Sequence, residues 1–464
     1  MGDRRVCIGF LFGLALIVLA GSLGWGEEGV AAAESIARPP ERTTTPLPPP
    51  AMAAYPPPTA ASYPPPPTAV PGARTPGTHS WVIEVVDRGE DLVGSRGAEK
   101  GWYPALVLDP AGKPYVTYYD EYNGSLVYAH QDGDAWQLQT VESEWPDWYG
   151  SAIALDRNLR PHILYCPYRT NGYVFACSGL RHAYWDGAAF QIGVIKTQWG
   201  QGNGFSLALD RAGRPYASYV DLNTGKLEIA HQDGNAWTVQ TVDDAGYGLT
   251  SLGLDPSDLP HIAYPSPPES LHLDYAHYNG TAWLTVTVDN AEGTGRCSSL
   301  ALDRAGRPHI SYFDPGEAVL KYAWHDGASW QIEVVDNEDA VGLHTSLVLD
   351  ASDQPHIAYA RLDSVGGSSC NGLKYAYRSA GSWRTEVVDA GKGVGCGLSL
   401  GVDATGHPHI AYYGNYSLQY ALRTVSASLP ELGSPLPAAW VWVALGALIV
   451  LGLALRFWAH RRAK

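Results

Sequence analysis

Aromatic side chains that could stack on sugar rings are concentrated in a few irregular stretches of this 464-residue sequence. They are Trp102, Tyr103, Trp148, Tyr149, Trp199, Phe205 and Tyr247, and the corresponding stretches later in the chain carry Arg296 and His344. Aromatic rings pack on the apolar faces of sugars while neighbouring polar groups bind the hydroxyls, at low entropic cost for Trp and Tyr. We therefore predict that these residues form a ligand-binding surface. The alternative is that the rings wedge between structural units and are buried.

Histidine and aspartate, which suit acid–base chemistry or metal binding, recur at fixed positions. Histidines that follow a proline are His162, His261, His309, His356 and His409, with Tyr115 and Tyr216 at the same position elsewhere. The recurring aspartates are Asp109, Asp156, Asp210, Asp255, Asp303, Asp350 and Asp403. Because such repetition is typical of a scaffold position, we expect each Asp to cap a turn by accepting backbone N–H bonds. No Asp-x-Asp-x-Asp loop accompanies them, so we predict neither a metal site nor a cofactor.

A glycosidase or polysaccharide lyase would need a convergent pair of carboxylates, or an arginine cluster beside a Tyr–Glu pair. Arg96, Arg169, Arg296 and Arg361 lie in variable stretches, but their spacing singles out none of them. The sequence therefore predicts no catalytic residue.

The elements that position these residues belong to an internal repeat. The recurring Asp residues are separated by 47, 54, 45, 48, 47 and 53 residues. A clear copy begins at Ser299 and reads Ser-Leu-Ala-Leu-Asp-Arg-Ala-Gly-Arg-Pro-His-Ile-Ser-Tyr. Each copy contains four short alternating stretches bounded by turn residues, which is the size and pattern of a propeller blade. The sequence therefore predicts an all-β, seven-bladed propeller with four antiparallel strands in each blade.

The two ends of the repeat predict how the ring closes. No fourth strand follows Asp403, whereas Trp81-Val-Ile-Glu-Val-Val-Asp87 precedes the first repeat as an isolated fourth strand. We expect this N-terminal strand to complete the last blade and to cover a sheet edge that would otherwise invite aggregation.

Strand direction divides the loops between two faces. The turns between strands one and two and between strands three and four are short and uniform, and we call their side the short-turn face. The remaining loops vary, and we call their side the loop face. Since binding sites are usually found on variable loops of a rigid frame, we place the predicted ligand-binding surface on the loop face, pointing away from the cell.

Cysteines lie on or beside the loop face. Cys166 and Cys177 flank the long loop of blade 2, while Cys370 and Cys396 belong to the region of blades 6 and 7. An oxidising compartment makes two disulfides plausible, although sequence alone does not fix their connectivity. Cys297 has no evident partner.

Signals for export and anchoring flank the repeat. Basic residues precede a short apolar stretch at the N-terminus, which is typical of a signal peptide, with an uncleaved anchor as the alternative. An apolar stretch near the C-terminus is followed by basic residues, which predicts a helix with a cytoplasmic end. The predicted segments are a signal peptide and leader (1–35), a disordered Pro-rich linker (36–78), the propeller (79–424), a linker (425–437), a transmembrane helix (438–458) and a basic tail (459–464). We therefore predict a single-pass cell-membrane protein with an extracellular propeller.

The repeat resembles the Leu-Asp-x-x-Gly-x-Pro-His-Ile-x-Tyr repeats of secreted prokaryotic β-propeller proteins. The turn Asp132-Gly-Asp-Ala-Trp136 is distantly similar to the Asp-box turns of sialidases, without their Ser and spacing. Leu429-Pro-Glu-Leu-Gly433 resembles a sortase signal, but Leu432 stands where the signal has Thr. This departure favours a plain transmembrane anchor.

Three hypotheses for the function follow. The leading one is a cell-surface binding or adhesion module that recognises a glycan or wall polymer. The others are a sialidase-like glycosidase or polysaccharide lyase, and a scaffold for other surface proteins. The partner would be a carbohydrate or a surface protein. Nucleic acid is not an expected partner, because the net charge of −16 repels phosphate backbones.

Overall fold

The computed structural model describes residues 79–89, 100–143, 147–170, 175–177, 179–197, 204–221, 223–234, 236–244, 246–266, 271–295, 297–338, 341–363 and 369–425. The predicted signal peptide, the proline-rich linker and the C-terminal helix at 438–458 lie outside these ranges. None of the described residues forms a helix capable of crossing a bilayer.

The described strands form separate antiparallel sheets, and we number the strands in chain order. Blade 1 contains β2 (Lys100–Leu108), β3 (Pro114–Asp120), β4 (Ser125–Asp132) and β5 (Ala135–Glu142). Blade 2 contains β6 (Asp147–Leu155), β7 (Pro161–Thr170), β9 (Leu180–Trp185) and β10 (Phe190–Lys196), with the short β8 (Phe175–Cys177) paired to β7. Blade 3 contains β11 (Phe205–Leu209), β12 (Pro215–Asp221), β13 (Lys226–Asp233) and β14 (Ala236–Asp243).

The later blades follow the same order. Blade 4 contains β15 (Ser251–Leu254), β16 (Pro260–Pro265), β17 (Leu273–Tyr278) and β18 (Trp283–Asp289). Blade 5 contains β19 (Ser299–Leu302), β20 (Pro308–Asp314), β21 (Val319–His325) and β22 (Trp330–Asp336). Blade 6 contains β23 (Val341–Leu349), β24 (Pro355–Leu362), β25 (Cys370–Ser379) and β26 (Ser382–Asp389). Blade 7 contains β27 (Leu398–Val402), β28 (Pro408–Gly414), β29 (Ser417–Val425) and β1 (His79–Asp87).

The architecture confirms the prediction of an all-β, seven-bladed propeller with four antiparallel strands per blade. The N-terminal strand β1 pairs with β29, from His79 opposite Val425 to Asp87 opposite Leu418. The last blade is therefore built from both ends of the repeat region.

The hydrophobic core is divided among the junctions between blades. Each second strand is buried on both sides because it lies between two neighbouring sheets, and every residue of β20 is buried. At the junction of blades 1 and 2, Tyr128 and Val141 pack with Ile163 and Tyr165. Equivalent clusters lie at the other six junctions. The fourth strands form the outer rim, where apolar residues such as Val194 and Val387 are exposed.

The recurring aspartates cap the turn between strands one and two. Asp303 Oδ1 accepts hydrogen bonds from the backbone N–H groups of Ala305 at 2.9 Å and Arg307 at 2.8 Å. The same pair of bonds occurs at Asp109, Asp156, Asp210, Asp255, Asp350 and Asp403. The carboxylates are therefore occupied in holding the turns.

Two disulfides brace the longest blades. Cys166 is bonded to Cys177 in blade 2, and Cys370 is bonded to Cys396 between blades 6 and 7. Cys297 is buried and takes part in neither disulfide.

Replacing Cys166 and Cys177 by Ser is expected to lower the free energy of unfolding by about 3 kcal/mol, because the bridge restricts the unfolded chain. Urea denaturation of the wild type and the variant would measure this difference. Reduction of the wild type with a thiol should lower the free energy of unfolding at least as much, because the Cys370–Cys396 bridge is broken as well. An unchanged midpoint, or peptide mapping that finds these thiols free in the purified wild type, would contradict the expectation.

Candidate functional site

The predicted loop-face residues divide between described and undescribed parts of the chain. Trp199 and Arg296 lie outside the described residues, and for Trp148 and Tyr149 only the backbone, in β6, is described. Trp102 stacks on Tyr413 of blade 7, with ring centroids 4.4 Å apart, and lies 5.8 Å from the Tyr103 ring. The sequence did not point to Tyr413, because it occupies a regular strand-two position.

Phe205 and Tyr247 lie near the starts of their inner strands. Phe205 packs against the hydrophobic cluster between blades 2 and 3. The Tyr247 backbone N–H donates to Pro265 O at 3.1 Å. Contacts within the protein therefore cover part of the Phe205 and Trp102 rings. The ligand-binding role of the loop face stays a prediction.

A position six residues before the recurring Asp adopts a left-handed backbone in several blades. Tyr103, Cys297 and His344 have φ of 49°, 54° and 52° there, and Gly150 and Gly397 have φ of 67° and 103°. Non-glycine residues in this region cost on the order of 1–3 kcal/mol each, and such strain is found most often at functional sites. The position lies where the innermost strands begin. The residue at this position therefore differs from blade to blade, on the loop face and close to the axis of the ring.

His344 is the titratable side chain of this group. Burial lowers the pKa of His344 to about 4, so the imidazole is neutral at neutral pH. Its Nε2 is shielded from water and has no hydrogen-bond partner among the described residues.

The recurring histidines form part of a repeated hydrogen-bonded array. In blade 7 the Tyr420 hydroxyl donates to His409 Nδ1, and His409 Nε2 lies 3.5 Å from Asp403 Oδ2. The same three residue types meet in blades 4, 5 and 6, although His309 Nε2 of blade 5, 3.8 Å from Asp303 Oδ2, has no hydrogen-bond partner among the described residues. Burial lowers the pKa of His261 to about 4, so these rings act as neutral hydrogen-bonding groups. Their repetition supports a structural role.

Charged side chains also pair across the junctions between blades, on the outer part of the ring. Lys321 of β21 lies 3.7 Å from Asp289 of β18, and Lys374 of β25 forms an ion pair with Asp336 of β22. The charges are reversed between blades 2 and 3, where Lys196 lies 2.6 Å from Glu228.

Two carboxylates meet at the junction of blades 3 and 4. Asp274 occupies the position that carries Lys321 in blade 5, and it faces Asp243 of β14. Burial raises the pKa of Asp274, and the negative charge of Asp243 raises it further. Asp274 Oδ1 is buried without a hydrogen-bond partner among the described residues, while the Tyr264 hydroxyl donates to Asp243 at 2.6 Å. This pair lies between the outer strands, away from the inner strands that surround the axis.

Asp274→Lys is expected to stabilise the propeller by about 1–3 kcal/mol at pH 8, because it replaces an unsatisfied buried acceptor with a partner for Asp243. The raised pKa of Asp274 means that the folded state binds its proton more tightly than the unfolded state. The free-energy cost of burying the charged Asp274 carboxylate therefore grows as pH rises through the acidic range. The increase in the free energy of unfolding that Asp274→Lys produces should accordingly be larger at pH 8 than at pH 4. Thermal melts at both pH values would measure it, with Asp274→Asn as the charge-neutral control. A lower melting temperature for Asp274→Lys at pH 8 would contradict this account.

A cavity of about 300 Å³ opens on the short-turn face between blades 2 and 3. Its polar lining includes Arg157, Asn158 and Arg160 from the turn after β6, and Tyr184 and Trp185 at the end of β9 form its aromatic lining. Gly213, from the first turn of blade 3, lines the opposite side. The cavity therefore combines aromatic rings with hydrogen-bonding side chains on the face that the sequence presented as uniform.

Blade 2 departs from the repeat at one ring position beside Tyr184. Blade 2 has His182 where blade 5 has Tyr322, and the His162 and His182 ring nitrogens lie 3.1 Å apart. Burial lowers the pKa of His182 to about 3, so it stays neutral. Tyr184 stacks beside both imidazoles and is 39% exposed, which leaves a face of its ring available. The sequence signal was His182, which stands where the third strands of blades 1, 4, 5, 6 and 7 carry Tyr.

Comparisons with known proteins return distant structural similarities. No protein-family model matches the chain, and no curated protein matches it. The fucose-specific lectin from Aleuria aurantia is 14% identical, with 63% of this chain and 98% of the lectin aligned at a TM-score of 0.44. The intramolecular trans-sialidase from Ruminococcus gnavus is 12% identical, with 70% of this chain and 94% of that enzyme aligned at a TM-score of 0.36. A polysaccharide lyase described as an ulvan lyase is 12% identical, with 71% of this chain and 94% of the lyase aligned at a TM-score of 0.48. Likenesses at this level carry no argument about the ligand or activity of this chain.

Proposed function

We propose that the propeller is a carbohydrate-binding module and that the cavity between blades 2 and 3 is its sugar site. The observation that carries this proposal is the partly exposed ring of Tyr184 beside side-chain donors that the fold does not use. Neither the Arg157 guanidinium nor the Asn158 amide has a hydrogen-bond partner among the described residues. Protein sites that bind small molecules combine apolar and aromatic walls with a few polar groups that fix the orientation.

The size and chemistry of the cavity support one sugar residue as its occupant. A volume of about 300 Å³ is at the lower end of the range for ligand sites. The Tyr184 ring would lie against the apolar face of a pyranose, while Arg157 and Asn158 would bind its hydroxyls or other polar substituents. The repeated carboxylates and imidazoles are occupied within the scaffold, so the site supports binding rather than catalysis.

Replacing both Tyr184 and Trp185 by Ala is expected to weaken glycan binding at least about tenfold, because truncating aromatic anchors at a binding site typically costs on the order of 2 kcal/mol or more. A glycan array with the full chain in detergent would identify ligands, and calorimetry would give affinities. His231→Ala with Gln232→Ala changes the same positions of blade 3 and should leave binding unchanged. Both variants should remain folded, as a cooperative thermal melt would show. If the wild type binds nothing on broad arrays, the carbohydrate proposal falls.

The loop face offers a second candidate sugar site. The strained backbone at Tyr103 and its neighbouring Trp102 support this alternative. Replacing Trp148 and Trp199 by Ala should abolish glycan binding without unfolding if the loop face holds the ligand. Binding that survives these changes but is lost with Tyr184 and Trp185 would assign the site to the cavity.

We also propose that the segment 438–458 holds the module at the cell surface. The apolar stretch and its basic flank support this location. Protease added to intact cells should then release the propeller. Complete protection of the propeller in intact cells would contradict an extracellular location.

A further inference from the structure

An arginine follows the turn Asp in three blades, and in two of them the next blade supplies its partner. Arg211 Nε donates to Asp258 Oδ2 at 2.9 Å, and the Arg211 backbone N–H donates to Asp258 Oδ1 at 3.1 Å. Arg304 makes the same two bonds to Asp353, at 2.9 Å and 3.2 Å. Both aspartates occupy the same position of the following turn. The third arginine is Arg157 of blade 2.

The turn that faces Arg157 lacks this carboxylate. Its equivalent position is Gly213, whose φ of 81° lies in the same left-handed region as the φ of 62° at Asp258. A Cβ at Gly213 would have the Asp156 Cβ at 3.8 Å as its neighbour, so a side chain would fit there. Arg157 is exposed and has no partner among the described residues. The space that an Asp side chain fills at the other two turns is part of the cavity.

The remaining charges of the cavity are balanced. Asp156 Oδ2 accepts a hydrogen bond from Arg160 Nε at 2.9 Å, and Asp156 Oδ1 is used by the turn. Burial lowers the pKa of His162, so its ring adds no charge at neutral pH. The Arg157 guanidinium is therefore a positive charge without a counterpart in the wall of the cavity.

We propose that the cavity binds a carboxylate-bearing sugar, a hexuronate residue of an acidic polysaccharide, whose carboxylate takes the place of the missing Asp side chain. The inference rests on the proposed carbohydrate-binding function and names its ligand class. The carboxylate would accept hydrogen bonds from Arg157 Nε and from the Arg157 backbone N–H, as the Asp258 carboxylate does from Arg211. The pyranose ring would lie against Tyr184. Charge-assisted, paired hydrogen bonds of this kind give specificity for a planar carboxylate.

The test compares sugars that differ in the group on C6. Glucuronate and galacturonate would be titrated into the full chain in detergent, beside glucose and galactose, by calorimetry and ligand-observed NMR. We expect each uronate to bind at least about tenfold more tightly than its neutral hexose, since a hydrogen bond to a charged group is strong enough to change an affinity by that factor. Added salt should reduce the difference, because the guanidinium is exposed.

Variants at the two sides of the cavity locate the interaction. Arg157→Ala should remove the preference for uronates without lowering the melting temperature, because Arg157 makes no hydrogen bond or ion pair with the described residues. Gly213→Asp should do the same by supplying the carboxylate from the protein, and the left-handed φ of Asp258 and Asp353 shows that Asp is compatible with this turn. Arg211→Ala, which removes the paired arginine of blade 3, should leave uronate binding unchanged.

The outcomes separate this inference from the function on which it rests. If uronates and hexoses bind equally and Arg157→Ala changes neither, the acidic ligand is wrong and the carbohydrate-binding proposal stands. If the Gly213→Asp variant still binds uronates more tightly than hexoses, the sugar carboxylate does not bind at this turn. If acetate or an Asp-rich peptide binds as tightly as glucuronate, the site does not recognise a sugar. If no sugar binds the wild type, both proposals fail.

Discussion

Deleting the first strand, β1, is expected to leave the propeller insoluble or unable to unfold cooperatively. β1 is the outer strand of blade 7, and its removal exposes the whole edge of β29. Such an unpaired edge is a template for aggregation. A truncated chain that begins at residue 90 would lose the strand, whereas one that begins at residue 79 would keep it.

Side chains of β1 also connect the last blade to both neighbours. Trp81 Nε1 donates to Glu386 of blade 6 at 3.1 Å, and Glu84 Oε1 accepts a hydrogen bond from Trp136 Nε1 of blade 1 at 2.9 Å. Asp87 accepts the Tyr118 hydroxyl of blade 1 at 2.6 Å. The deletion therefore removes the outer strand of blade 7 together with its contacts at both junctions.

Thermal melts and size-exclusion chromatography of the two truncated chains would measure the effect. The chain that begins at residue 79 is the control, because it lacks residues 1–78 but keeps β1. Equal melting temperatures would show that β1 does not close the ring.

Lys374→Met is expected to lower the free energy of unfolding by about 3–5 kcal/mol, because it leaves a buried carboxylate without its cation. Lys374 and Asp336 are both buried and form an ion pair across the junction of blades 5 and 6. The Tyr359 hydroxyl donates to Asp336 at 2.5 Å and would be the remaining side-chain partner of that carboxylate.

An exposed ion pair of the same type provides the control. Lys226 Nζ lies 2.7 Å from Asp244, whose side chain is 85% exposed. Pairs in that setting contribute about 0–1 kcal/mol, so Lys226→Met should have little effect. Urea denaturation would compare the two variants, and adding Asp336→Asn to Lys374→Met should recover part of the loss. Equal effects of Lys226→Met and Lys374→Met would contradict the importance of the buried pair.

The repeat made much of the fold predictable, because each blade is built from contacts between residues close together in the sequence. The spacing of the recurring Asp residues predicted seven sheets, and the isolated strand before the first repeat predicted that β1 pairs with β29. The capping role of an Asp such as Asp303 was predictable as well, since its partners lie two and four residues away. Local hydrogen bonding fixes these features.

Contacts between blades were decided by the tertiary structure. Trp102 was predictable as an irregular aromatic residue, but its stacking on Tyr413 depends on the meeting of blades 1 and 7. Likewise, Arg157 and Gly213 are unremarkable in the sequence, and their relation becomes visible when the Arg211–Asp258 pair shows which turns face each other. The physical reason is that strand patterns depend on the chemistry of neighbouring residues, whereas the pairing of side chains across a junction depends on how adjacent twisted sheets pack against each other.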